Sequence, residues 1–177
     1  MRREFQSAVG VAGVKIWYNN TNMIKALFLD RDGTINVDYG YVHEIAKFDF
    51  LPEIFDICRA AVKRGYAIFV ITNQSGIARG MFTEREYRAV TRYMKREFLK
   101  RGIRIAAVYH CPELSGPNRK PAPGLFLKAQ RRYGIDMARS VSVGDKPRDV
   151  EAGQAAGVGQ NFLLCDIIKT YERVFKG

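Results

Sequence analysis

The sequence lacks any long hydrophobic segment. No apolar run among its 177 residues approaches the roughly 18 residues that a transmembrane helix requires. Cysteine is also scarce: Cys58, Cys111 and Cys165 are too few and too scattered for a disulfide framework. We therefore expect no membrane partner, reduced thiols and a cytoplasmic protein, with Cys58 and Cys165 packed in the core.

Acidic residues are few relative to basic ones. Asp and Glu number 18 against 29 Lys and Arg, which gives a formal net charge of +11. Such an excess can mean a nucleic-acid, anionic-membrane or anionic small-molecule partner. The basic clusters lie in helical patterns, and no basic tract is interleaved with aromatic residues as in a strand-binding groove. Solvated helix faces are the favoured interpretation, and a nucleic-acid partner is not expected.

Residues 1–22 differ in composition from the remainder. They combine an Arg pair with a short apolar stretch at 8–14 and an Asn/Thr-rich end at 19–22. A secretory signal would need a longer apolar region and a cleavage site. We expect a disordered extension, or translation from an upstream start codon, followed by one domain at 23–177.

From residue 24 onward, short apolar runs alternate with helical patterns. Continuous apolar runs suit strands that are buried on both faces of a parallel sheet. The predicted strands are 25–29, 67–71, 105–109, 140–143 and 161–164. This alternation predicts a doubly wound α/β domain, in which ligands bind beyond the carboxyl ends of the strands.

The predicted helices lie between these strands. The apolar face of the first consists of Ile54, Ile57, Cys58, Ala61 and Val62, with Gly65 after it. Thr83 and Glu86 form a capping-box pattern. The apolar face of that second helix consists of Tyr87, Val90, Met94 and Phe98. Further helical patterns cover 125–133, 149–156 and 166–175.

Carboxylates follow two of the strands. Asp30 and Asp32 end the first, and Asp145 ends the fourth. Like charges this close repel unless a cation lies between them, and Mg²⁺ prefers hard oxygen ligands. A carboxylate can also attack phosphorus, while a second one exchanges protons with the leaving group and water. Asp149 matches a helix N-cap, so we expect it to act on the site indirectly at most.

Two further polar segments could hold a phosphoryl group. Thr72-Asn73-Gln74-Ser75-Gly76 closes the second strand with hydroxyl and amide donors. Lys120 lies in a Pro-rich loop before a helix, where a fixed cation could stabilise dispersed phosphoryl charge. Taken singly, each segment also fits an ordinary polar turn or an exposed lysine.

Together these motifs resemble the four signature motifs of the haloacid dehalogenase superfamily. They occur in the same order, as 30–34, 72–76, 119–121 and 144–146. A finer resemblance, carried by 38–44, 72–80 and 119–124, is to the heptose 1,7-bisphosphate 7-phosphatase family and related histidinol-phosphate phosphatases. It implies a capless fold and removal of the 7-phosphate of a heptose bisphosphate through an aspartyl-phosphate.

The resemblance also implies individual roles. Asp30 would be the nucleophile and Asp32 the acid/base, and both would bind magnesium together with Asp145. Thr72 and Lys120 would stabilise the phosphoryl group. The sugar phosphate would be bound by Asp38, Tyr39, Gly40, Tyr41, Asn73, Gln74, Ser75, Arg119 and Lys146. We expect a monomer that acts on a small sugar phosphate.

One departure from the family pattern concerns zinc. The pattern has Cys-X-His and a later Cys-X-Cys pair before the Arg-Lys-Pro motif. Here Cys111 matches the first ligand, but Glu113 replaces the histidine and no second cysteine lies between Cys111 and Arg119. A structural zinc site needs four ligands, so we predict that zinc is absent.

Three other functions remain open at this point. Histidinol-phosphate hydrolysis uses the same chemistry, and the basic charge favours the doubly phosphorylated sugar over this cationic substrate. A nucleic-acid 3′-phosphatase would share the capless architecture. A non-catalytic binding protein is disfavoured, because a cluster of carboxylates is costly without a metal to hold.

Overall fold

The structure is a computed structural model that describes residues 23–175, so the predicted extension at 1–22 lies outside the described residues. Its five parallel strands form one sheet in the order β3-β2-β1-β4-β5. The strands are β1 (Lys25–Leu29), β2 (Tyr66–Asn73), β3 (Ile105–Cys111), β4 (Val141–Gly144) and β5 (Gln160–Leu163). The predicted parallel sheet is confirmed, and β2 runs two residues further than expected, so that Thr72 lies within it.

Five α-helices connect and flank the strands. They are α1 (Glu53–Lys63), α2 (Glu84–Lys100), α3 (Gly124–Tyr133), α4 (Pro147–Ala155) and α5 (Leu164–Val174). Between β1 and α1 the described chain forms only a one-turn 3-10 helix, Ile45–Lys47, so no cap domain is inserted there. None of the helices within 23–175 has the length and apolarity to span a membrane.

The sheet is covered on both faces. Apolar residues of α1, α2 and α5 pack on one face, against side chains such as Leu27 and Leu29. Residues of α3 and α4 pack on the other, where Phe28 contacts the Phe126 ring with centroids 5.0 Å apart. Burial of β1 on both faces explains its unbroken apolar sequence.

Two helical predictions succeed in detail. The side chain of Thr83 accepts the Glu86 N–H while Glu86 accepts the Thr83 N–H, which completes the capping box at the start of α2. The predicted inner faces are buried in α1, apart from Val62, and throughout α2.

Three expectations are wrong. Val62 is 42% exposed, because it lies at the edge of the apolar face of α1. Cys165 is exposed near the start of α5 rather than packed in the core. Asp149 is not an N-cap: α4 begins at Pro147, and the Asp149 carboxylate accepts the backbone N–H of Lys146 at 3.0 Å from the third position of the helix.

Candidate active site

The topology of the sheet brings three polar segments to one edge. β1 lies between β2 and β4, and Asp30 directly follows β1 while Asp145 directly follows β4. Thr72 is the penultimate residue of β2. Because parallel strands present their carboxyl ends at the same edge, these residues meet where ligands bind in open α/β sheets.

Three carboxylates form the centre of this edge. Asp30, Asp145 and Asp149 each offer an oxygen, and the three oxygens lie within 4.8 Å of one another. Asp30 is 8% and Asp149 4% exposed. We call these residues the acid cluster. Asp149 thus lies in the site itself, although it was expected to act on the site only indirectly.

Two glycines allow Asp145 and Asp149 of the acid cluster to approach the backbone closely. A Cβ at Gly33, whose φ is +82°, would lie 2.3 Å from Asp145 Oδ2. A Cβ at Gly144 would lie 2.2 Å from the Cβ of Asp149. Side chains at either position would push these carboxylates away, so both glycines are required by close approach.

Lys120 reaches into the acid cluster from the loop before α3. Its Nζ lies 2.7 Å from Asp30 Oδ1 and 2.6 Å from Asp149 Oδ1, and it donates to the Ile71 carbonyl at 2.8 Å. The side-chain amide of Asn73 accepts from the Lys120 N–H at 3.1 Å and donates to the Lys120 carbonyl at 3.0 Å. The end of β2 therefore fixes the backbone that delivers this ammonium group.

The electrostatics of the acid cluster favour an additional cation. Burial raises the pKa of Asp30 to about 6, with Asp149 and Asp32 adding to the rise and Lys120 opposing it. Burial likewise raises the pKa of Asp145. Asp145 Oδ1 is buried without a hydrogen-bond partner among the described residues. Clustered carboxylate oxygens of this kind fit a magnesium ion, which would favour their ionised forms.

The side chain of Asp32 makes its contacts outside this cluster. Arg31 donates to both of its oxygens, Nε to Oδ1 at 3.1 Å and Nη2 to Oδ2 at 2.9 Å. Asn36 Nδ2 donates to Oδ1 at 3.0 Å and Gln74 Nε2 to Oδ2 at 2.9 Å. The carboxylate is thus held by four N–H groups, and its predicted magnesium contact stays a prediction.

The polar segment at the end of β2 lies beside these groups. Thr72 is buried, and its Oγ1 accepts from Gln74 Nε2 at 2.9 Å. Gln74 therefore contacts Thr72 and Asp32 with one nitrogen. Ser75 is half-buried, and its carbonyl accepts the Arg79 N–H.

The loop after β1 forms the outer wall of the site. Asp38 accepts from Lys146 Nζ at 2.8 Å and from the Gly40 N–H at 3.0 Å. Although burial opposes the change, these hydrogen bonds lower the pKa of Asp38. Tyr39 donates to Asp49 at 2.9 Å. Tyr39 and Tyr41 are 58% and 40% exposed, and both line a cavity of about 470 Å³.

The loop after β3 holds the last predicted residue. Arg119 Nη1 donates to the Glu113 carbonyl at 3.2 Å. Arg119 and Lys120 line one cavity of about 370 Å³. We use the word rim for the outer residues that are predicted to bind the sugar phosphate, namely Asp38, Tyr39, Gly40, Tyr41, Arg119 and Lys146.

Comparisons with known proteins identify the family of this chain. A HAD-hydrolase-like family model matches residues 117–165. The D-glycero-beta-D-manno-heptose-1,7-bisphosphate 7-phosphatase of Yersinia pestis is 44% identical over 154 residues, 81% of this chain and 82% of that protein. The corresponding alpha-heptose enzyme of Campylobacter jejuni is 46% identical over 141 residues, 79% and 82% of the two chains. The chain belongs to the heptose-1,7-bisphosphate 7-phosphatase family.

A solved structure places the family on the same fold. The D,D-heptose 1,7-bisphosphate phosphatase of B. bronchiseptica, crystallised with magnesium and phosphate, superposes with a TM-score of 0.72 at 32% identity. The match covers 77% of this chain and 79% of that one. The predicted family membership and fold are confirmed, and with them the assignment to the phosphatases of the HAD superfamily.

Sequence reasoning undervalued two residues of this phosphatase. Asp149 lies in the first turn of α4, which begins two residues after Asp145, so both carboxylates lie near the end of β4. That signal was available but was outweighed by the N-cap pattern. The burial of Arg31 had no signal of its own, because the Val42 carbonyl and the rings of Tyr87 and Phe48 become its neighbours only in the folded chain.

Proposed function

We propose that this enzyme removes the 7-phosphate of D-glycero-D-manno-heptose 1,7-bisphosphate. The observation that carries the proposal is the buried acid cluster with Lys120 at its centre, 2.7 Å from Asp30. Relatives of both the alpha and the beta series match over about four fifths of the chain, which supports the substrate class and leaves both anomers to be compared.

In the proposed reaction Asp30 is the nucleophile. One of its carboxylate oxygens attacks phosphorus, the bond from phosphorus to the C7 oxygen breaks, and Asp32 protonates that oxygen. Asp32 then takes a proton from the water that attacks the aspartyl-phosphate, which releases inorganic phosphate and restores Asp30. Lys120 and Thr72 stabilise the phosphoryl oxygens, whose charge is dispersed in the transition state.

Magnesium would be held by Asp30 and Asp145, with Asp149 beside them and Asp32 as the further predicted ligand. When bound, a divalent cation neutralises phosphoryl charge and favours the ionised nucleophile. The buried Asp145 Oδ1, which lacks a hydrogen-bond partner in the described chain, supports this assignment.

The rim would bind the sugar and the remote phosphate. Lys146 and Arg119 are its cations, and Asp38, Tyr39, Gly40 and Tyr41 supply polar and aromatic surface. Ser75 would complete the site from the end of β2. Asn73 and Gln74 are also predicted to contact the sugar phosphate, although the Asn73 amide already bonds to Lys120 and the Gln74 amide to Asp32.

Phosphate release tests the substrate. We would compare both anomers of heptose 1,7-bisphosphate with histidinol phosphate, fructose 1,6-bisphosphate and a 3′-phosphorylated oligonucleotide. The proposal predicts the highest kcat/KM for one heptose anomer, with the 1-phosphate retained. Faster hydrolysis of histidinol phosphate or of the oligonucleotide would replace it.

We also propose that the enzyme works without structural zinc. The Cys111 thiol donates to Glu113 Oε2 at 2.9 Å. Burial, the larger cause, and this hydrogen bond together raise the pKa of Cys111 to about 11. Zinc requires the thiolate and further thiolate or imidazole ligands. Elemental analysis should therefore give far less than one zinc per chain, and a stoichiometric zinc whose removal abolishes activity would refute this.

A further inference from the structure

Arg31 is the largest fully buried side chain of the described residues, with 0% exposure. Its guanidinium forms a two-pronged contact with Asp32, Nε to Oδ1 at 3.1 Å and Nη2 to Oδ2 at 2.9 Å. A buried guanidinium is costly unless it is paired, and this fork geometry fixes the plane of the carboxylate as well as its position.

Aromatic rings hold the guanidinium in place. Its Cζ lies 5.6 Å from the ring centre of Tyr87 in α2 and 6.0 Å from that of Phe48. Nη1 is buried and has no hydrogen-bond partner among the described residues. The orientation of Arg31 is therefore set by packing on its faces and by bonds from its other two nitrogens.

A further bond joins Arg31 to the wall of the site. Nη2 donates to the Val42 carbonyl at 2.6 Å as well as to Asp32. Val42 is 2% exposed and follows the rim residues Asp38 to Tyr41. Its neighbour His43 stacks on Phe82 with ring centroids 5.1 Å apart. One nitrogen thus joins the proposed acid/base to the anchored end of the sugar-binding loop.

We propose that Arg31 is a positioning residue that aligns Asp32 for proton transfer and couples that alignment to the loop that binds the sugar. The inference rests on the proposed function, in which Asp32 protonates the leaving oxygen. Asn36 and Gln74 also donate to Asp32, each with a neutral amide and a single N–H. Arg31 alone among these three contributes two parallel, charge-assisted bonds, which a lysine cannot reproduce.

The test uses the dependence on the leaving group. A sugar alkoxide must be protonated as it leaves, whereas p-nitrophenolate leaves readily without a proton. We would measure kcat/KM for heptose 1,7-bisphosphate and for p-nitrophenyl phosphate in wild type, Arg31→Lys, Arg31→Gln and Asp32→Asn. Because both substrates are assayed on one preparation, the ratio of the two values does not depend on the fraction of folded enzyme.

The expected pattern is a selective loss. Asp32→Asn should lose about 10²–10⁴-fold more on the sugar phosphate than on the aryl phosphate, the usual range for general acid catalysis. We call the loss of kcat/KM on the sugar phosphate, divided by the loss on the aryl phosphate, the bias of a variant. Arg31→Lys should show a smaller bias than Asp32→Asn, about tenfold, and Arg31→Gln a larger bias than Arg31→Lys. Ile35→Val, a fully buried neighbour without a carboxylate contact, is the control and should show no bias.

A double variant separates positioning from folding. If Arg31 acts through Asp32, the bias caused by Arg31→Lys should vanish in the Asp32→Asn background, because no proton donor remains to be aligned. A bias that persists unchanged there would overturn the inference.

The remaining outcomes are distinguishable. If Arg31→Lys loses equally on both substrates while Asp32→Asn is biased, Arg31 is a purely structural residue. That result would overturn the inference and leave the acid/base role of Asp32 intact. An unbiased Asp32→Asn would overturn the acid/base role and the inference together. Failure of the wild type to hydrolyse the heptose substrate refutes the substrate assignment. The test of Arg31 is then made with whichever alkyl phosphate of the phosphate-release comparison the wild type hydrolyses fastest.

Discussion

The acid cluster and the rim are held in the structure in different ways. Around the acid cluster the ion pair of Lys120 with Asp149 is deeply buried, with side chains 2% and 5% exposed. At the rim the pair of Lys146 with Asp38 has side chains 40% and 30% exposed. The first joins the loop before α3 to the first turn of α4, and the second joins the loop after β1 to the residue that precedes α4.

This difference suits two tasks. Buried charges interact strongly and reorganise little, which phosphoryl transfer requires in any substrate. Exposed loop residues can vary without disturbing the core, so they are suited to select the ester. Substitutions in the acid cluster should therefore impair every substrate alike, whereas substitutions in the rim should discriminate between substrates.

The largest expected effect belongs to Asp30. Asp30→Asn removes the attacking carboxylate but keeps its size, so turnover should fall below about one hundredth of wild type for every substrate while the fold persists. Steady-state rates at saturating magnesium, with circular dichroism as the control for folding, check this. Substantial residual activity would mean that Asp30 is not the nucleophile.

A matched pair of substitutions compares the two regions directly. Asp149→Asn should raise the magnesium concentration for half-maximal activity about 10–100-fold, the usual effect of altering the surroundings of a metal site. Asp38→Asn makes the same chemical change in the rim and should alter KM while leaving the magnesium dependence close to wild type. Titrations of rate against magnesium decide between them, and equal shifts would abolish the distinction between the regions.

The smallest expected effect is also the most selective. Arg119→Ala should lower kcat/KM for heptose 1,7-bisphosphate about tenfold or more, since hydrogen bonds to charged groups contribute about 1.5–3 kcal/mol. p-Nitrophenyl phosphate has no second phosphate and should be affected much less. Similar losses on both would show that Arg119 does not bind the remote phosphate.

The sequence predicted the parts of the site that follow from periodicity. Unbroken apolar runs located the strands, and strand ends located Asp30, Thr72 and Asp145, because parallel strands must end at one edge. Lys120 stands in an irregular loop without a helical or strand period, so its Pro-rich surroundings made it only a candidate, and the family resemblance then implied its role.

The contacts that could not be predicted join distant segments. Asn73 and Lys120 are 47 positions apart, and their paired hydrogen bonds depend on how the loop before α3 meets the end of β2. The exposure of Cys165 had a similar cause: composition favours burial of cysteine, but the position of α5 on the sheet decides which face is covered.

The central claim is the covalent intermediate on Asp30, and rapid acid quenching tests it most directly. Enzyme and magnesium would be mixed with heptose 1,7-bisphosphate carrying a labelled 7-phosphate, quenched within the first turnover and digested. An aspartyl-phosphate on Asp30 predicts label on the peptide that contains Asp30, released by hydroxylamine and missing from Asp30→Asn. Product formation without any labelled enzyme, or label on another residue, would contradict it.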